Sequence, residues 1–375
     1  MRPRALLLVI VTAMLALGIV AVQSAGMVVP RSASFSELLT SRTTQLGLAA
    51  VIAFLIARRI PPRWTTNQWV ARGAMVIAGI LLLLVFVPGI GREVNGARRW
   101  IEIGPLGFQP SEVAKWAAVL WVAAWGGQRG AKLGTFWKGL APALLIVGIA
   151  SGLVLLEDLG TALLIGAVAA ILLLAAGARL WHLILIGLPA LGVVTAAIIS
   201  TPYRLTRLRA FLDPWADPSG DGYHVVQSMT ALAGGGIGGR GLGNGVQKFG
   251  YLPEDTTDFI FSVICEEFGV LGGIVVVSLL LALAWTGWAI IQRQSAPHRQ
   301  LLAMGIILTV TLQAIMNLMV VTAMAPTKGI ALPLISSGGT GWIMTAFMIG
   351  LLASLDNDRN SSLDCAPRTM PQAAT

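Results

Sequence analysis

Charged side chains are scarce in this chain of 375 residues, at only 11%, and cysteine occurs twice, as Cys265 and Cys365. One cysteine lies inside a hydrophobic run and the other in the polar C-terminal segment, which argues against a disulfide or a cysteine metal site. Hydrophobic residues make up 56% of the chain, and its mean hydropathy is +0.79. These values are far from those of soluble domains and indicate an integral membrane protein.

Apolar runs of the length that crosses a bilayer as a helix, about 17 to 25 residues, recur along the whole chain. They predict ten transmembrane helices, near residues 5–25, 44–60, 70–88, 111–127, 138–156, 159–177, 180–200, 258–291, 301–323 and 340–355. The expected fold is therefore all-α and polytopic, with one domain over residues 1–355 and a short polar tail, 356–375, that is predicted to be disordered. The eighth run is too long for one crossing, so it either tilts or breaks near Gly269, Gly272 and Gly273.

Ten spans place both termini on one side of the membrane. Of the acidic residues, only Asp356, Asp358 and Asp364 then lie on the side that we take as cytoplasmic, whereas the basic residues, 14 of the 26 on that side, barely decide the orientation by their count. We therefore predict that both termini are cytoplasmic. Two long loops, 89–110 and 201–257, then lie outside, and the basic residues that remain there favour an anionic ligand on the outer face.

A polar loop with Glu254, Asp255 and Asp258 runs directly into a hydrophobic span that contains Glu266 and Glu267. Ionisable groups at a membrane edge are costly and usually functional. Asp258 stands at the predicted start of its helix, where it could also act as an N-terminal cap. Capping explains one of these acids but not all five.

Two further segments allow both a structural and a functional interpretation. Glu112 and Lys115 are three residues apart on one helix face, so they form either a self-neutralising pair or the charged wall of a cavity. The glycine-rich run 234–245 is either a flexible loop or a phosphate-binding nest, although it lacks the Gly-Lys-Ser/Thr ending of a nucleotide site.

Segment 325–341 interrupts two apolar runs with prolines and glycines. Irregular backbone at membrane depth is tolerated only where it is buried in protein or lines a wet cavity. Gln313 and Asn317, four residues apart on the preceding helix, are expected to face the same interior.

An ordered set of motifs covers roughly residues 20–355: NGARRW with QPSEVAK, DLGTA, YRLTR with FLDPW, GYHVVQS, GLGNGVQKFGYLPE with TDFIF and EEFG, and QAIMN followed by PTKGIALPLISSGG. This set resembles the SEDS family of membrane proteins, which includes FtsW, RodA and SpoVE. The QK before YLPE and the PTKG before LPLIS are closer to FtsW and SpoVE than to RodA. The chain departs from the residues usual in the family at four positions: Thr256, Ser337, Gly245 and His224. These differences leave Asp258 unchanged but bear on the detailed contacts with substrate.

The resemblance implies a peptidoglycan glycosyltransferase that polymerises lipid II on the outer face of the bacterial cytoplasmic membrane, in cell division or cell-wall synthesis. It implies that Asp258 is the catalytic residue. The resemblance and the charge pattern together give these substrate-binding candidates: Arg98, Glu112, Lys115, Asp158, Arg204, Arg207, Gln227, Lys248, Glu254, Lys328 and Ser336.

The reaction expected from the resemblance is a one-step displacement with inversion, in which Asp258 acts as general base on the acceptor hydroxyl. Basic side chains or a divalent cation, Mg or Mn, would neutralise the departing diphosphate. The expected partners are lipid II, a class B penicillin-binding protein (a transpeptidase) and other membrane proteins of the divisome or elongasome, with no nucleic acid. The alternatives are a lipid II flippase and a non-catalytic divisome scaffold.

Overall fold

The computed structural model describes residues 3–26, 41–65, 67–94, 97–103 and 106–356. The predicted disordered tail and Cys365 lie outside the described residues.

Thirteen α-helices form the described part of the chain. They are α1 (Pro3–Ala25), α2 (Arg42–Ala57), α3 (Pro62–Thr65), α4 (Gln68–Leu84), α5 (Pro110–Leu133), α6 (Ala141–Glu157), α7 (Leu159–Ala175), α8 (Leu180–Ile199), α9 (Pro202–Leu212), α10 (Tyr223–Gly234), α11 (Ile260–Arg293), α12 (Pro297–Val321) and α13 (Thr340–Leu355). A π-helical turn, Phe136–Leu140, leads directly into α6. The ten longer apolar helices correspond one by one to the ten predicted spans, and the all-α fold is confirmed.

Five of these segments are long and apolar enough to cross a membrane on length and composition alone, namely α1, the π-turn with α6, α8, α11 and α12. Four more, α2, α4, α7 and α13, are shorter but apolar. The remaining predicted span, α5, carries charges at both ends yet is almost wholly buried, with Trp116 and Val122 in its interior face. Small residues such as Ala117 and Ala118 let neighbouring helices approach α5 closely.

The end of the bundle where α4 joins α5 and α12 joins α13 carries the long connections, and we call it the loop face. A three-stranded antiparallel sheet, β1 (Gly91–Val94), β2 (Ala97–Ile103) and β3 (Leu106–Phe108), lies there in the order β1-β2-β3. The apolar runs that predict the transmembrane helices did not predict this sheet. Helices α9 and α10 occupy the second long loop. The opposite end, where α13 ends and Arg293 of α11 pairs with Asp356 at 3.4 Å, is the termini face.

Helix α11 breaks at Gly269, as one of the two sequence alternatives predicted, with φ 66° and ψ −162°. The break frees backbone groups, and the glycine-rich run bonds to them. The amides of Arg240 and Gly241 donate to the carbonyls of Glu266 and Glu267 at 3.0 and 2.9 Å. A Cβ at residue 269 would lie 2.3 Å from the carbonyl oxygen of Ile237, so only glycine fits this close approach. The glycine-rich run therefore has a structural function, completing a broken helix.

A buried ion pair fixes the chain on both sides of this break. Lys248 Nζ lies 2.9 Å from Glu267 Oε1, and both side chains are 1% exposed. Ser24 at the end of α1 donates to the same carboxylate at 2.7 Å. Glu266 accepts the backbone amides of Val246 and Gln247 at 2.9 and 3.1 Å. The loop that leads to Asp258 is thus anchored to α1 and to α11.

We predict that Lys248→Met destabilises the fold by about 3–5 kcal/mol, because it leaves the Glu267 carboxylate buried without its cation. The free energy of unfolding in mixed detergent micelles, followed by circular dichroism, measures the loss. Arg240→Met is the matched control. Arg240 pairs with Glu266 at 3.7 Å but is 43% exposed, and the buried Glu266 carboxylate keeps the amides of Val246 and Gln247 as partners, so the loss of Arg240 should cost no more than about 1 kcal/mol. An equal loss of unfolding free energy in both variants would contradict the conclusion that the buried Lys248–Glu267 pair stabilises the fold more than Arg240 does.

Candidate functional site

A cavity of about 470 Å³ opens in the loop face. Its walls come from the start of α5, the sheet, α7, α9, the segment before α11 and the irregular segment between α12 and α13. The charged residues that line it are the bases Arg42, Arg92, Arg99 and Arg207 and the acids Glu102, Glu112, Glu254 and Asp258. Such a balanced set of charges can hold a polar, anionic substrate at the edge of an apolar bundle.

Asp258 lies two residues before the first residue of α11, and its carboxylate makes no capping bond to that helix. Its backbone carbonyl accepts a hydrogen bond from Asn317 Nδ2 of α12 at 2.8 Å, which fixes the main chain. Among the described residues the carboxylate forms no salt bridge. The capping alternative is therefore not supported, and the side chain stays available to the cavity that it lines.

The environment of Asp258 raises its pKa to about 7. Burial is the largest cause, since it disfavours the charged carboxylate, and the nearby Glu254 carboxylate adds to the effect. Arg207 and Arg99 act in the opposite direction. A carboxyl group with this pKa can accept a proton near neutral pH, as a general base must.

Arg99 reaches toward Asp258 from strand β2. A Cβ built on Gly329 would meet Arg99 Nη1 at 3.1 Å and Asp258 Oδ2 at 3.7 Å, so the two groups flank the same glycine. Arg99 Nε is buried and has no hydrogen-bond partner among the described residues. A buried, unpaired donor is costly, which suggests that a substrate oxygen completes its bonding.

Arg207 of α9 supplies a second cation beside the acid. Its guanidinium stacks on the Tyr203 ring at 4.3 Å and donates to the carbonyl of Thr327 at 3.3 Å. Burial is the main cause that lowers the pKa of Arg207, while the nearby Asp258 and Glu254 act in the opposite direction. It lines the cavity, as the sequence predicted.

The deeper wall of the cavity carries a buried polar chain. Lys115 Nζ bonds Glu112 Oε1 and Gln313 Oε1, each at 2.8 Å. Gln313 in turn donates to the carbonyl of Ala331 at 2.9 Å. Glu112 and Gln313 line the cavity while Lys115 lies behind them. Both interpretations of the Glu112–Lys115 spacing therefore apply, because the pair is intrahelical and its acid also faces the cavity.

The irregular segment between α12 and α13 lines the cavity over most of residues 329–338, as its sequence predicted. Asn317 Nδ2 donates to the carbonyl of Ile330 at 2.8 Å, and Ser336 Oγ accepts the Leu332 amide at 2.7 Å. Gln313 and Asn317 thus face the same interior, and they hold the backbone that surrounds Asp258. Ser336 and Glu254 both line the cavity, as expected of candidate substrate contacts.

Several candidates lie away from the cavity lining, which corrects their predicted position. Asp158 caps α7, accepting the Thr161 amide at 3.0 Å and its hydroxyl at 2.7 Å. Arg204 donates to the carbonyls of Leu155 and Leu156 at 2.8 and 2.9 Å and so ties α9 to the end of α6. The Arg204 guanidinium is thus bound to backbone carbonyls, and the Asp158 carboxylate is bound to the amide and the hydroxyl of Thr161.

Four other candidates also fall outside the residues that line the cavity. Arg98 is exposed and lies 3.6 Å from Glu93, while Lys248 belongs to the buried pair with Glu267. Gln227 lies on α10, and Lys328, whose pKa is lowered by burial, precedes Gly329. The structure does not support a direct substrate contact for these four residues.

Sequence reasoning missed much of the sheet's contribution, including Arg92, Arg99, Trp100 and Glu102. The signal was present, because the alternation of Trp100, Ile101, Glu102 and Ile103 is typical of a strand with one apolar side. Arg42 was also missed, and nothing in its local sequence points to a cavity.

A divalent cation was expected as one way to neutralise a diphosphate. Among the residues that the structure describes, no group of three or more His, Cys, Asp or Glu side chains could hold a metal ion. Among the described residues, the cavity acids therefore do not form such a site by themselves, and the basic side chains that line the cavity are arginines.

Comparison with known proteins gives a consistent result. The family model named for FtsW, RodA and SpoVE, described as "Cell cycle protein", matches residues 4–361. The chain is 42% identical to a probable peptidoglycan glycosyltransferase FtsW from Alkalilimnicola ehrlichii, over 79% of this chain and 75% of the relative. It is 35% identical to the stage V sporulation protein E of Bacillus subtilis, over 94% and 96% of the two chains.

Solved structures agree with this fold. A chain from a peptidoglycan synthase complex that coordinates polymerization and crosslinking matches with a TM-score of 0.75 and 29% identity, over 94% of this chain and 97% of the other. The rod shape determining protein RodA of Thermus thermophilus matches with a TM-score of 0.65 and 28% identity, over 94% and 96%. This chain is a polytopic membrane protein of the FtsW/RodA/SpoVE family.

Proposed function

We propose that the chain is a peptidoglycan glycosyltransferase that polymerises lipid II, with its loop face on the outer side of the bacterial cytoplasmic membrane and both termini in the cytoplasm. The observation that carries the proposal is Asp258, a carboxyl group of pKa about 7 with no salt bridge to any residue that the structure describes, in a cavity that also holds Arg99 and Arg207. The names of the curated relatives support the same activity.

In this reaction Asp258 takes the proton of the acceptor's GlcNAc 4-hydroxyl. The oxygen attacks the anomeric carbon of the donor MurNAc, the new glycosidic bond forms on the opposite face, and the bond to the diphosphate breaks. The products are a longer glycan and a polyprenyl diphosphate, with inverted configuration at the anomeric carbon. The step needs one base and one stabilised leaving group.

Arg99 and Arg207 are the cations that would stabilise the leaving diphosphate. Guanidinium groups pair with phosphate oxygens through two parallel hydrogen bonds, and both arginines line the cavity beside Asp258. Of the basic residues that the sequence suggested for binding the diphosphate, Arg207 lines the cavity, whereas Arg98, Arg204, Lys248 and Lys328 do not. Arg99 is the second arginine proposed for this role. A Mg or Mn ion stays a prediction, and its ligands would come largely from the diphosphate oxygens.

A partner of the class B penicillin-binding type is proposed as well, since one matching structure belongs to a synthase complex for polymerization and crosslinking. A site at the division septum is a further proposal, supported by the names of the FtsW relatives.

A lipid II flippase is the second candidate. A transporter needs a path between the two faces, whereas the charged cavity lies at the loop face with Lys115 and Trp116 buried beneath it. The geometry therefore favours polymerisation over translocation.

We predict that Asp258→Asn lowers lipid II polymerisation by about 10²–10⁴-fold, because the amide cannot accept the proton. Glycan chains made from labelled lipid II by the purified protein, alone and with a class B penicillin-binding protein, measure the effect. The amide keeps the size of the side chain, so gel filtration and the thermal midpoint should not change. A fully active Asp258→Asn enzyme would remove Asp258 from the mechanism. Labelled lipid II translocated without polymerisation by the unmodified protein would favour the flippase.

The rate should rise with pH through about 7, the pKa of Asp258, and level off above it, because only the deprotonated carboxylate acts as base. Glu254→Gln should shift this limb to lower pH, since the Glu254 charge raises the pKa of Asp258. Initial polymerisation rates across the neutral range measure both limbs. A limb at the same pH in the two proteins would contradict the assignment to Asp258.

Arg207→Gln should lower polymerisation by about 10²-fold through weaker stabilisation of the diphosphate. Arg204→Gln is the matched control on the same helix: its guanidinium binds the carbonyls of Leu155 and Leu156, so it should lower the thermal midpoint more than the rate per folded molecule. Initial rates, normalised to folded protein, separate the two. If Arg204→Gln were the more damaging change to the rate, the assignment of Arg207 to the diphosphate would be wrong.

A further inference from the structure

Four cations lie on adjoining turns where α5 ends on the termini face, and we call them the basic corner: Arg129, Lys132, Lys138 and Arg179. They belong to the end of α5, the π-turn before α6, and the residue before α8. All four lie at the end of the helices that is opposite to the loop-face cavity.

Specific contacts hold the corner together. The Arg129 guanidinium lies 3.8 Å from the ring centroid of Trp125. The indole Nε1 of Trp125 donates to the carbonyl of Gly139 at 2.9 Å. This bond joins the π-turn that contains Lys138 to the same tryptophan. A Cβ at Gly134 would lie 3.9 Å from Arg179 Nε, so the α8 start lies against this turn.

No acid neutralises these charges within the described part of the chain. Asp356 is the one acidic residue that the structure places on the termini face, and it pairs with Arg293 at 3.4 Å. The corner cations form no salt bridge among the described residues. Four like charges on adjoining turns repel one another, and an anion that binds between them removes that repulsion.

Two exposed tryptophans flank the corner. Trp137 is 81% exposed and Trp181 is 67% exposed. Indole rings of membrane proteins collect at the level of the lipid headgroups, so the pair places the corner at that depth. Basic pockets between helices at this level bind anionic headgroups.

We propose that the basic corner binds the phosphate-bearing headgroup of an anionic phospholipid. The corner is separate from the loop-face cavity, so this site does not depend on the proposed glycosyltransferase activity. The competing explanation is the general excess of basic residues on the cytoplasmic side of membrane proteins, which would attract anionic lipid over the whole face and not at the corner.

The test uses the full-length protein in detergent, titrated with short-chain phosphatidylglycerol, with short-chain phosphatidylcholine, or with inorganic phosphate. The thermal midpoint reports binding, and native mass spectrometry counts retained lipid. The site variant is Lys138→Gln with Arg179→Gln. The matched control is Arg58→Gln with Arg59→Gln, two exposed arginines at the end of α2 on the same face, so both variants lose the same charge.

We expect phosphatidylglycerol to raise the midpoint more than phosphatidylcholine does. The site variant should weaken its apparent affinity by about fivefold for each cation removed, while the control should bind like the unmodified protein. Equal weakening in the site variant and the control would overturn the proposal in favour of face-wide attraction. Saturation by inorganic phosphate at the concentration that phosphatidylglycerol requires would also overturn it, because the lipid would then contribute nothing. Variants that fold poorly are recognised by their midpoints without lipid and are replaced by Lys138→Gln alone against Arg58→Gln alone.

Discussion

The structure depends on one constraint, that backbone groups at membrane depth must find hydrogen-bond partners inside the protein. Helices satisfy it automatically, but this chain departs from helical geometry at two places near its cavity. At Gly269 the glycine-rich run bonds to the freed carbonyls of Glu266 and Glu267. Between α12 and α13, side chains of α12 bond to the carbonyls of Ile330 and Ala331. Each irregular segment therefore finds its hydrogen-bond partners in a neighbouring segment of the protein.

These two segments also place the functional residue. Asp258 is held on one side by Asn317, whose amide bonds both the Asp258 and the Ile330 carbonyls. On the other side, the loop before Asp258 is anchored by the pair of Lys248 with Glu267. Asn317 thus satisfies the irregular backbone at Ile330 and also fixes the main chain of the acid, while the Glu267 that lies at the break holds the loop before it. Stability and placement of the site come from one network.

The sequence predicted the number and order of the long helices, because about 20 apolar residues in a row have few alternatives in a membrane. The break in α11 was one of two alternatives for that long run, and a cavity was one of two environments expected for segment 325–341, since glycine and proline there leave backbone groups free. The sequence located Asp258, Glu112 and Arg207 in the cavity. These features follow from local composition or from motifs.

Local composition does not determine which charged side chain faces the cavity, and several substrate-binding candidates lie outside its lining for this reason. Arg204 and Arg207 lie one helical turn apart and look equivalent in the sequence, yet one ties α9 to carbonyls of α6 and the other lines the cavity. Lys248 was expected to bind substrate but has a buried carboxylate from a distant segment. Such assignments depend on contacts between segments far apart in the chain.

The arrangement around Asp258 explains why cations and a base can coexist in one cavity. A direct salt bridge to an arginine would lower the pKa of the carboxyl group by about 1–3 units, and a strongly acidic aspartate is a poor proton acceptor. Among the described residues, Arg99 forms no salt bridge with this carboxylate although both groups approach Gly329, and Arg207 is bound to Tyr203 and to a backbone carbonyl. The cations remain close enough to meet an anionic leaving group, while burial keeps the pKa of Asp258 near 7. A Cβ at position 329 would lie 3.1 Å from Arg99 Nη1 and 3.7 Å from Asp258 Oδ2, so the glycine lets the cation and the base approach the same stretch of backbone.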